Sequence, residues 1–447
     1  NEQTQISAPP ASISKDCDAQ NSVTNDDCNN MEVIEVSGRY IGIEVPEVIG
    51  RSHLDNDFLK AIPKGNGDIN EIIALLPGVQ MSSDSLLIDN LQEISASEIS
   101  ISGAQPWQTA FSLDGMNYNN RIDPGESSRI KASANDVAGG VQTMNINSNI
   151  VDAITVYDHN IPAQYGGFSG GVVDAQTKSP FLQDASFSFS IRANDSDWGQ
   201  YHFVAPTETD AGNETIEDNE LTPPVYEKVN YSLNAQKKLN EHHALMLSVN
   251  HLRSTISDIS LAQVQTQRRD NINAILKYGY RDGWVDKLDI SILYSPYEDT
   301  SYLKNVLNSR YLIAGGNTGL IANLVENTAI GQWQSKLNIS HSDSSRQAPA
   351  HYYMWRQAKG KEWGQFAEQS LADMPVSIAG GHGNIDKNQL TYSLNNNFDF
   401  NTFTTGSAEH GINIGAEITR QAVERKRLQD SYNYNAPVVW ASDSAQL

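Results

Sequence analysis

Gly167-Phe-Ser-Gly-Gly171 sets a serine in the G-x-S-x-G pattern of a nucleophile elbow, where a sharp strand-to-helix turn lifts the hydroxyl toward a base. The residues that follow, Val172-Val-Asp-Ala-Gln-Thr, favour a strand, so Ser169 lacks the helix an elbow needs. The glycines are read instead as allowing a tight backbone path. His242 and His243 share a short polar turn (NEHHA) and are read as solvated rather than metal-bound. Oxygen ligands for calcium are dense in residues 208–220 (ETDAGNETIEDNE), but they follow no regular ligand spacing, and a solvated acidic loop is preferred. Cys17 and Cys28 have no histidine or third cysteine near them to complete a metal site. A disulfide closing a small loop is the preferred reading, with two free thiols as the alternative. Such a loop contributes roughly 3 kcal/mol, enough to staple a tail but not to fold a domain. No catalytic residue, metal site or cofactor is expected. A surface hydrolase using Ser169 predicts labelling by fluorophosphonate probes.

Any such chemistry has to be positioned by the 447 residues as a whole, which are acidic: 54 Asp and Glu stand against 31 Lys and Arg, a formal net charge of -23. With no basic stripe carrying interleaved aromatics, nucleic acid is not expected as a partner. No stretch reaches the roughly 20 apolar residues of a membrane-spanning helix, so a chain of this kind that spans a membrane does so as a barrel. The opening NEQTQISAPP lacks the basic and apolar regions of a secretory signal, which is read as already removed or never present.

Three regions follow from the pattern. Residues 1–44 read as a disordered tail with one short β-prone run, Met31 to Gly38. Residues 45–180 have the texture of a small mixed α/β domain. Within it, Asp68 and Glu71 open a capping box; Ile69, Ile72, Ile73 and Leu76 share a helical face, and Pro77-Gly78 stops the helix. Short strands are expected at residues 98–102, at 110–113 with Asp114-Gly115 as a turn, and at 153–157 beside a glycine-dense stretch at 165–173.

From residue 181 to 447 apolar and polar residues alternate. Phe187, Phe189 and Ile191 begin the pattern; it returns around 229–235, 245–249, 272–280, 288–294, 390–394 and 412–418, and about nine strands are expected in all. Short connections at 238–243, 281–286 and 401–410 alternate with long ones at 194–226, 298–330 and 360–388. Short turns on one rim and long loops on the other suit a membrane barrel. A soluble β-sandwich following a small α/β domain, acting as a non-transporting binding or adhesion module, is the alternative.

Several segments carry a family resemblance. Glu32, Val33, Ile34, Glu35, Val36 and Ser37 resemble a TonB box, and residues 68–80 (DINEIIALLPGVQ), 99–117 (ISISGAQPWQTAFSLDGMN) and 151–180 (VDAITVYDHNIPAQYGGFSGGVVDAQTKSP) look like consecutive plug segments of TonB-dependent outer-membrane receptors. Two departures stand out. Ser102 stands before Gly103 where the family's pattern usually has Arg, and an extra stretch, 123–149, separates the second and third segments.

The resemblance implies a mainly β chain: a small α/β plug domain followed by the first strands of a transmembrane antiparallel barrel of about 22 strands. With about nine strands in view, the sequence is expected to stop early, the rest lying beyond Leu447. It also implies an outer-membrane location among lipid and lipopolysaccharide, import of a small-molecule, glycan or peptide ligand, and TonB with the ExbB-ExbD complex as partner. A TonB box works by strand addition, which Val33, Ile34 and Val36 favour. Ligand contacts are expected at the plug apices, about 82–90, 104–108 and 117–121, with Gln105, Trp107, Tyr118, Asn119 and Arg121 as candidates. Gly103, Asp114, Gly115, Tyr165, Gly166, Gly170 and Gly171 are expected to shape the plug.

Overall fold

A computed structural model describes residues 50–62, 65–83, 91–122, 140–199, 225–261, 263–350, 352–356, 376–406 and 408–427. Cys17, Cys28, the run from Glu32 to Ser37, the apex residues 84–90 and the acidic loop 208–220 lie outside the described residues.

The first part is built on a five-stranded sheet. Its strands are β1 (Arg51–Leu54), β4 (Ala110–Leu113), β5 (Met116–Asn117), β6 (Val151–Tyr157) and β7 (Val172–Thr177), in the order β1-β6-β7-β4-β5. Only β4 and β7 run parallel; β2 (Val79–Met81) and β3 (Ile99–Ile101) form a separate antiparallel pair. Helix α1 (Asn56–Ala61) starts on Asp55, whose carboxylate accepts from Phe58 N, and α2 (Ile69–Ile73) starts on Asp68, which accepts from Asn70 N. Ile69, Ile72 and Ile73 are buried against Ile101, Leu113, Ile146 and Ile154.

The capping box expected at Asp68 forms only in half. Glu71 passes over the Asp68 N–H and accepts instead from the backbone and side-chain nitrogens of Asn66, both at 3.3 Å. The helix ends earlier than Pro77, because Leu75 N and Leu76 N turn to Ile72 O and Ile73 O and tighten the last turn.

Behind this domain stands a nine-stranded antiparallel wall. It comprises β8 (Ala185–Asp195), β9 (Val225–Lys238), β10 (His243–Ser260), β11 (Gln263–Arg281), β12 (Lys287–Ser301), β13 (Tyr311–Thr328), β14 (Gly331–Gln347), β17 (Ile385–Phe400) and β20 (Asn413–Arg427). The pairs β15 (Tyr352–Arg356) with β16 (Val376–Gly380), and β18 (Phe403–Thr405) with β19 (Ala408–His410), occupy two of its connections.

Alternation gives each strand two faces, and their burial decides the architecture. Leu247, Leu276, Ile292, Leu320, Ile339 and Tyr392 stand directly opposite one another on successive strands, forming an apolar row across the sheet. That face looks outward: Phe187 is 71% exposed, Leu276 47% and Ile418 73%. Ser248, Asn250, Ser254, Asn271, Asn273 and Lys277 face inward and are buried. A sandwich buries its apolar faces against each other, so this inversion overturns the sandwich alternative and fits a wall with lipid outside. Four inward apolar side chains, Met246, Ile275, Leu293 and Ile321, join the core of the first domain.

Two strand expectations need correction. The supposed long connection 298–330 holds the end of β12 and all of β13, and β10 ends at Ser260 with β11 starting at Gln263, a short connection on the rim expected to carry long loops. Outward positions of β13 include Ala314 and Gly316, paired with Glu298 and Pro296, which broke the apolar alternation.

Candidate functional site

A cavity of roughly 180 Å3 lies between plug-side residues 93–99 and 140–145 and the inner face of β12, β13, β14 and β17. Its charged lining is Glu71, Glu93, Glu98, Asp299 and Asp343 against Lys387. Arg269 stands behind the wall of the cavity, with Glu93 Oε2 at 2.9 Å and Asp299 Oδ2 at 3.3 Å. The second oxygen of Glu93 accepts from Ile94 N and Ser95 N, which fixes that loop. Gln142 lines the cavity, is 8% exposed, and holds a buried Oε1 without a hydrogen-bond partner.

The two layers are joined by polar contacts around this space. Lys228 Nζ donates to Asn66 Oδ1 at 2.7 Å and Ser254 Oγ to Gln92 O at 2.8 Å. Asn149 Nδ2 donates to Ser232 Oγ at 2.7 Å, and Asn338 Nδ2 to Gly115 O at 3.0 Å. Lys277 forms a buried ion pair with Asp114 at 3.0 Å and donates to Thr177 Oγ1.

Burial sets the titration of the first domain's acids. It pushes the Asp68 carboxyl up to about 7, helped by neighbouring Glu71 and opposed by the N–H groups of Ser97 and Asn70. Burial also raises Glu71 and Asp174, the latter against hydrogen bonds from Ser112 and Tyr165.

Of the expected ligand contacts, Gln105, Trp107 and Arg121 are exposed, Trp107 at 44%. Pro106, between the first two, lines the cavity. Arg121 reaches the wall through its backbone, N–H to Gln389 Oε1 at 2.9 Å, while its guanidinium lies 3.5 Å from Gly167 O. Tyr118 and Asn119 are corrections. Tyr118 is fully buried with its ring 6.0 Å from Phe111, a packing position. Asn119 accepts from Phe111 N and donates to Thr109 O, so its amide is spent holding β4.

The shaping residues divide by role. Asp114 and Gly115, at φ 50 and 88, make the paired left-handed turn that a two-residue hairpin between β4 and β5 demands. A Cβ on Gly170 or Gly171 would lie 2.6 Å from Ala104 Cβ or Ile101 Cγ2, so close approach requires both glycines. A Cβ on Gly103 or Gly166 meets nothing within 4 Å. Tyr165 donates to Asp174 Oδ2 at 3.0 Å. After Ser169 and two glycines comes β7 instead of a helix, and the Ser169 N–H donates to Gln108 O, so the strand-turn-helix geometry of an elbow is not formed. His242 and His243 turn to Arg281 O and Tyr278 Oη, and among the described residues no three His, Cys, Asp or Glu side chains gather as a metal site.

The cavity-lining acids escaped sequence reasoning for two reasons. Glu93 falls between recognisable segments, Glu98 opens a short expected strand where nothing marks it as cavity lining, and Gln142 lies in the stretch taken as an insertion. Asp299 is legible only as a polar-face residue, and Asp343 pairs with Gly316 at a position that alternation assigns outward, so neither reads from sequence as cavity lining.

Comparison with known proteins agrees with this architecture. Residues 51–173 match the family model described as TonB-dependent Receptor Plug Domain. Over 431 residues, 94% of this chain and 53% of the relative, the sequence is 24% identical to the uncharacterized protein YddB of Escherichia coli (strain K12). The crystal structure of the outer membrane transporter YddB from Escherichia coli superposes with a TM-score of 0.71 at 20% identity, covering 85% of this chain and 49% of that one. The ferric enterobactin receptor PfeA of Pseudomonas aeruginosa, in complex with BCV-L6, gives 0.50 at 15% identity, covering 85% and 50%. The chain thus spans about half the length of the relatives it matches.

Proposed function

The chain carries the plug domain of the TonB-dependent receptors ahead of the wall of an outer-membrane-type barrel, and from that premise we propose that it belongs to an energised importer in the outer membrane. In this reading a small-molecule, glycan or peptide cargo binds where plug and wall enclose the cavity. The run from Glu32 to Ser37 then pairs as an added strand with TonB, and the ExbB-ExbD complex supplies traction from the proton gradient. No bond in the cargo is made or broken.

One observation carries the reading: the wall exposes its apolar face and turns a mainly polar face onto the plug. That plug is tied to the wall largely by hydrogen bonds and ion pairs, which a pulling force can break one at a time.

The test is binding of a purified TonB periplasmic domain to this chain, with Ile34→Pro as the control, since proline removes a ladder N–H and blocks strand pairing. Binding by the parent and loss in the variant is the expected outcome. Absence of binding by both removes the traction mechanism.

A further inference from the structure

We infer that the inner face of the wall is a cationic track for a polycarboxylate cargo, and that carboxylates of the plug occupy this track at rest. The inference rests on the importer reading above and deepens it by naming the chemistry that crosses the seam.

Register decides which charges face inward. Among the described residues, the cations buried on that face are Lys228, Arg269, Lys277, Arg346 and Lys387, and the buried acids are Asp289 and Asp299. Both acids are spent on cations of the wall itself. Asp289 has Arg281 at 2.8 Å and Lys287 at 3.6 Å, and Asp299 has Arg269 at 3.3 Å.

The remaining counter-charge comes from the plug. Glu93 holds Arg269 at 2.9 Å and Asp114 holds Lys277 at 3.0 Å, each pair with its acid on the plug and its base on the wall. Lys228 Nζ donates to Asn66 Oδ1, and Asn66 in turn donates to Glu71, a carboxylate that also feels Arg192. Glu71, Glu93 and Asp299 in the cavity lining therefore belong to this pairing. A plug drawn away from the wall takes Glu71, Glu93 and Asp114 with it. The cations left in a narrow lumen focus the field there and concentrate anions.

The cations fall in two tiers. Lys228 and Arg269 both stand in register with Ser254, two strands or about 10 Å apart, with Arg192 opposite Asn230 close by. Lys277 and Lys336 make the second tier, both at the β4–β5 hairpin: Lys277 holds Asp114, and a Cβ on Gly115 would fall 2.9 Å from Lys336 Cδ. Arg269 and Lys277 lie eight positions apart on β11, roughly 26 Å of strand, a span that an extended octapeptide covers. Since the occupants at rest are carboxylates, a polycarboxylate can replace them pair for pair. Two sources share this chemistry: an acidic peptide, long enough to meet both tiers, and a small carboxylate chelate that meets one at a time.

Hydrogen exchange of the plug in the full chain in detergent tests the track. A solute that binds the wall only where the plug has lifted raises plug exchange by linkage. The probes are octa-aspartate, citrate and neutral maltohexaose at matched ionic strength. Lys277→Gln and Asp114→Asn break one pair from opposite sides, and Arg269→Gln and Glu93→Gln do the same for the other. Each variant is read as the ratio of plug exchange rates with and without probe, so weaker docking cancels. Two pairs keep the test standing if one variant fails to fold, which wall amides report.

The expected result is plug exchange raised about tenfold or more by octa-aspartate or by citrate, according to source, with wall amides unchanged. Asp114→Asn and Glu93→Gln should keep that ratio, whereas Lys277→Gln and Arg269→Gln should lose most of it. Three results overturn the inference: no acceleration by either polycarboxylate, equal acceleration by maltohexaose, or the same loss on both sides of a pair, as simple screening of the seam gives. TonB-domain binding measured on the same samples reports on the importer reading alone, so either idea can fail without the other.

Discussion

Ile69, Ile73, Leu113 and Ile154 in the plug are sealed from solvent, while in the wall Phe187, Leu276 and Ile418 face outward and Ser248, Asn250 and Asn273 face in. Both regions are strand-rich and draw on the same apolar residue types, so the contrast is one of solvent and not of composition. In water, alternation hides its apolar face; in hydrocarbon the apolar face is the one that can be left exposed. The seam between the regions follows: a few inward apolar residues join the plug core, and polar pairs do the rest.

Adjacent residues on β11 allow the contrast to be broken from either side. Lys277 points inward and is 4% exposed, with Asp114 as its ion-pair partner. Lys277→Ala leaves a buried carboxylate without its cation and should weaken plug docking by about 3–5 kcal/mol. Plug hydrogen exchange is the readout, with wall amides unaffected. Adding Asp114→Asn should recover much of the loss; unchanged protection in Lys277→Ala would show that the plug is held by something other than this pair.

Leu276, the residue before it, points outward. Leu276→Arg should destabilise the inserted protein by about 2–4 kcal/mol if the site lies near the bilayer midplane. Urea unfolding in lipid vesicles measures it. A water-facing position would tolerate the change within about 0.5 kcal/mol, and that result would sink the membrane assignment of the outward face.

How much of this was legible depended on whether local pattern or register carried the information. Asp68 and its isoleucines marked α2, Asp114-Gly115 marked a hairpin, and Ala110 to Leu113 marked β4, because caps, turns and short apolar runs are local. Strands β13 and β14 were hidden, since Ala314 and Gly316 on β13 and Ser335 and Ser345 on β14 interrupt the outward apolar row. Tyr118 read as an apex aromatic because nothing near it in sequence shows that Phe111 and the plug core close over it. The cavity-lining residues run from Asn66 to Gln389, and only the packing of the plug against β12, β13, β14 and β17 brings them together.

The smallest effect tests the plug's side of the contrast, where burial acts on a charge instead of a methyl group. Asp68 caps α2, accepting from Asn70 N at 3.0 Å and Ser97 N at 2.7 Å, yet burial and Glu71 hold its carboxyl up at about 7. An acid raised in the folded state keeps its proton where the unfolded chain has lost it. The associated stability is therefore fully present below about pH 4 and is lost as pH rises through about 7. Between pH 5 and 7 the protection of the α2 amides should fall by about 2 kcal/mol, corrected for intrinsic exchange. Asp68→Asn, which keeps an acceptor at the cap but cannot ionise, should flatten that dependence while retaining the helix. A wild-type profile that is flat, or that rises with pH, would mean that the two N–H groups outweigh burial and that the cap is an ordinary ionised carboxylate.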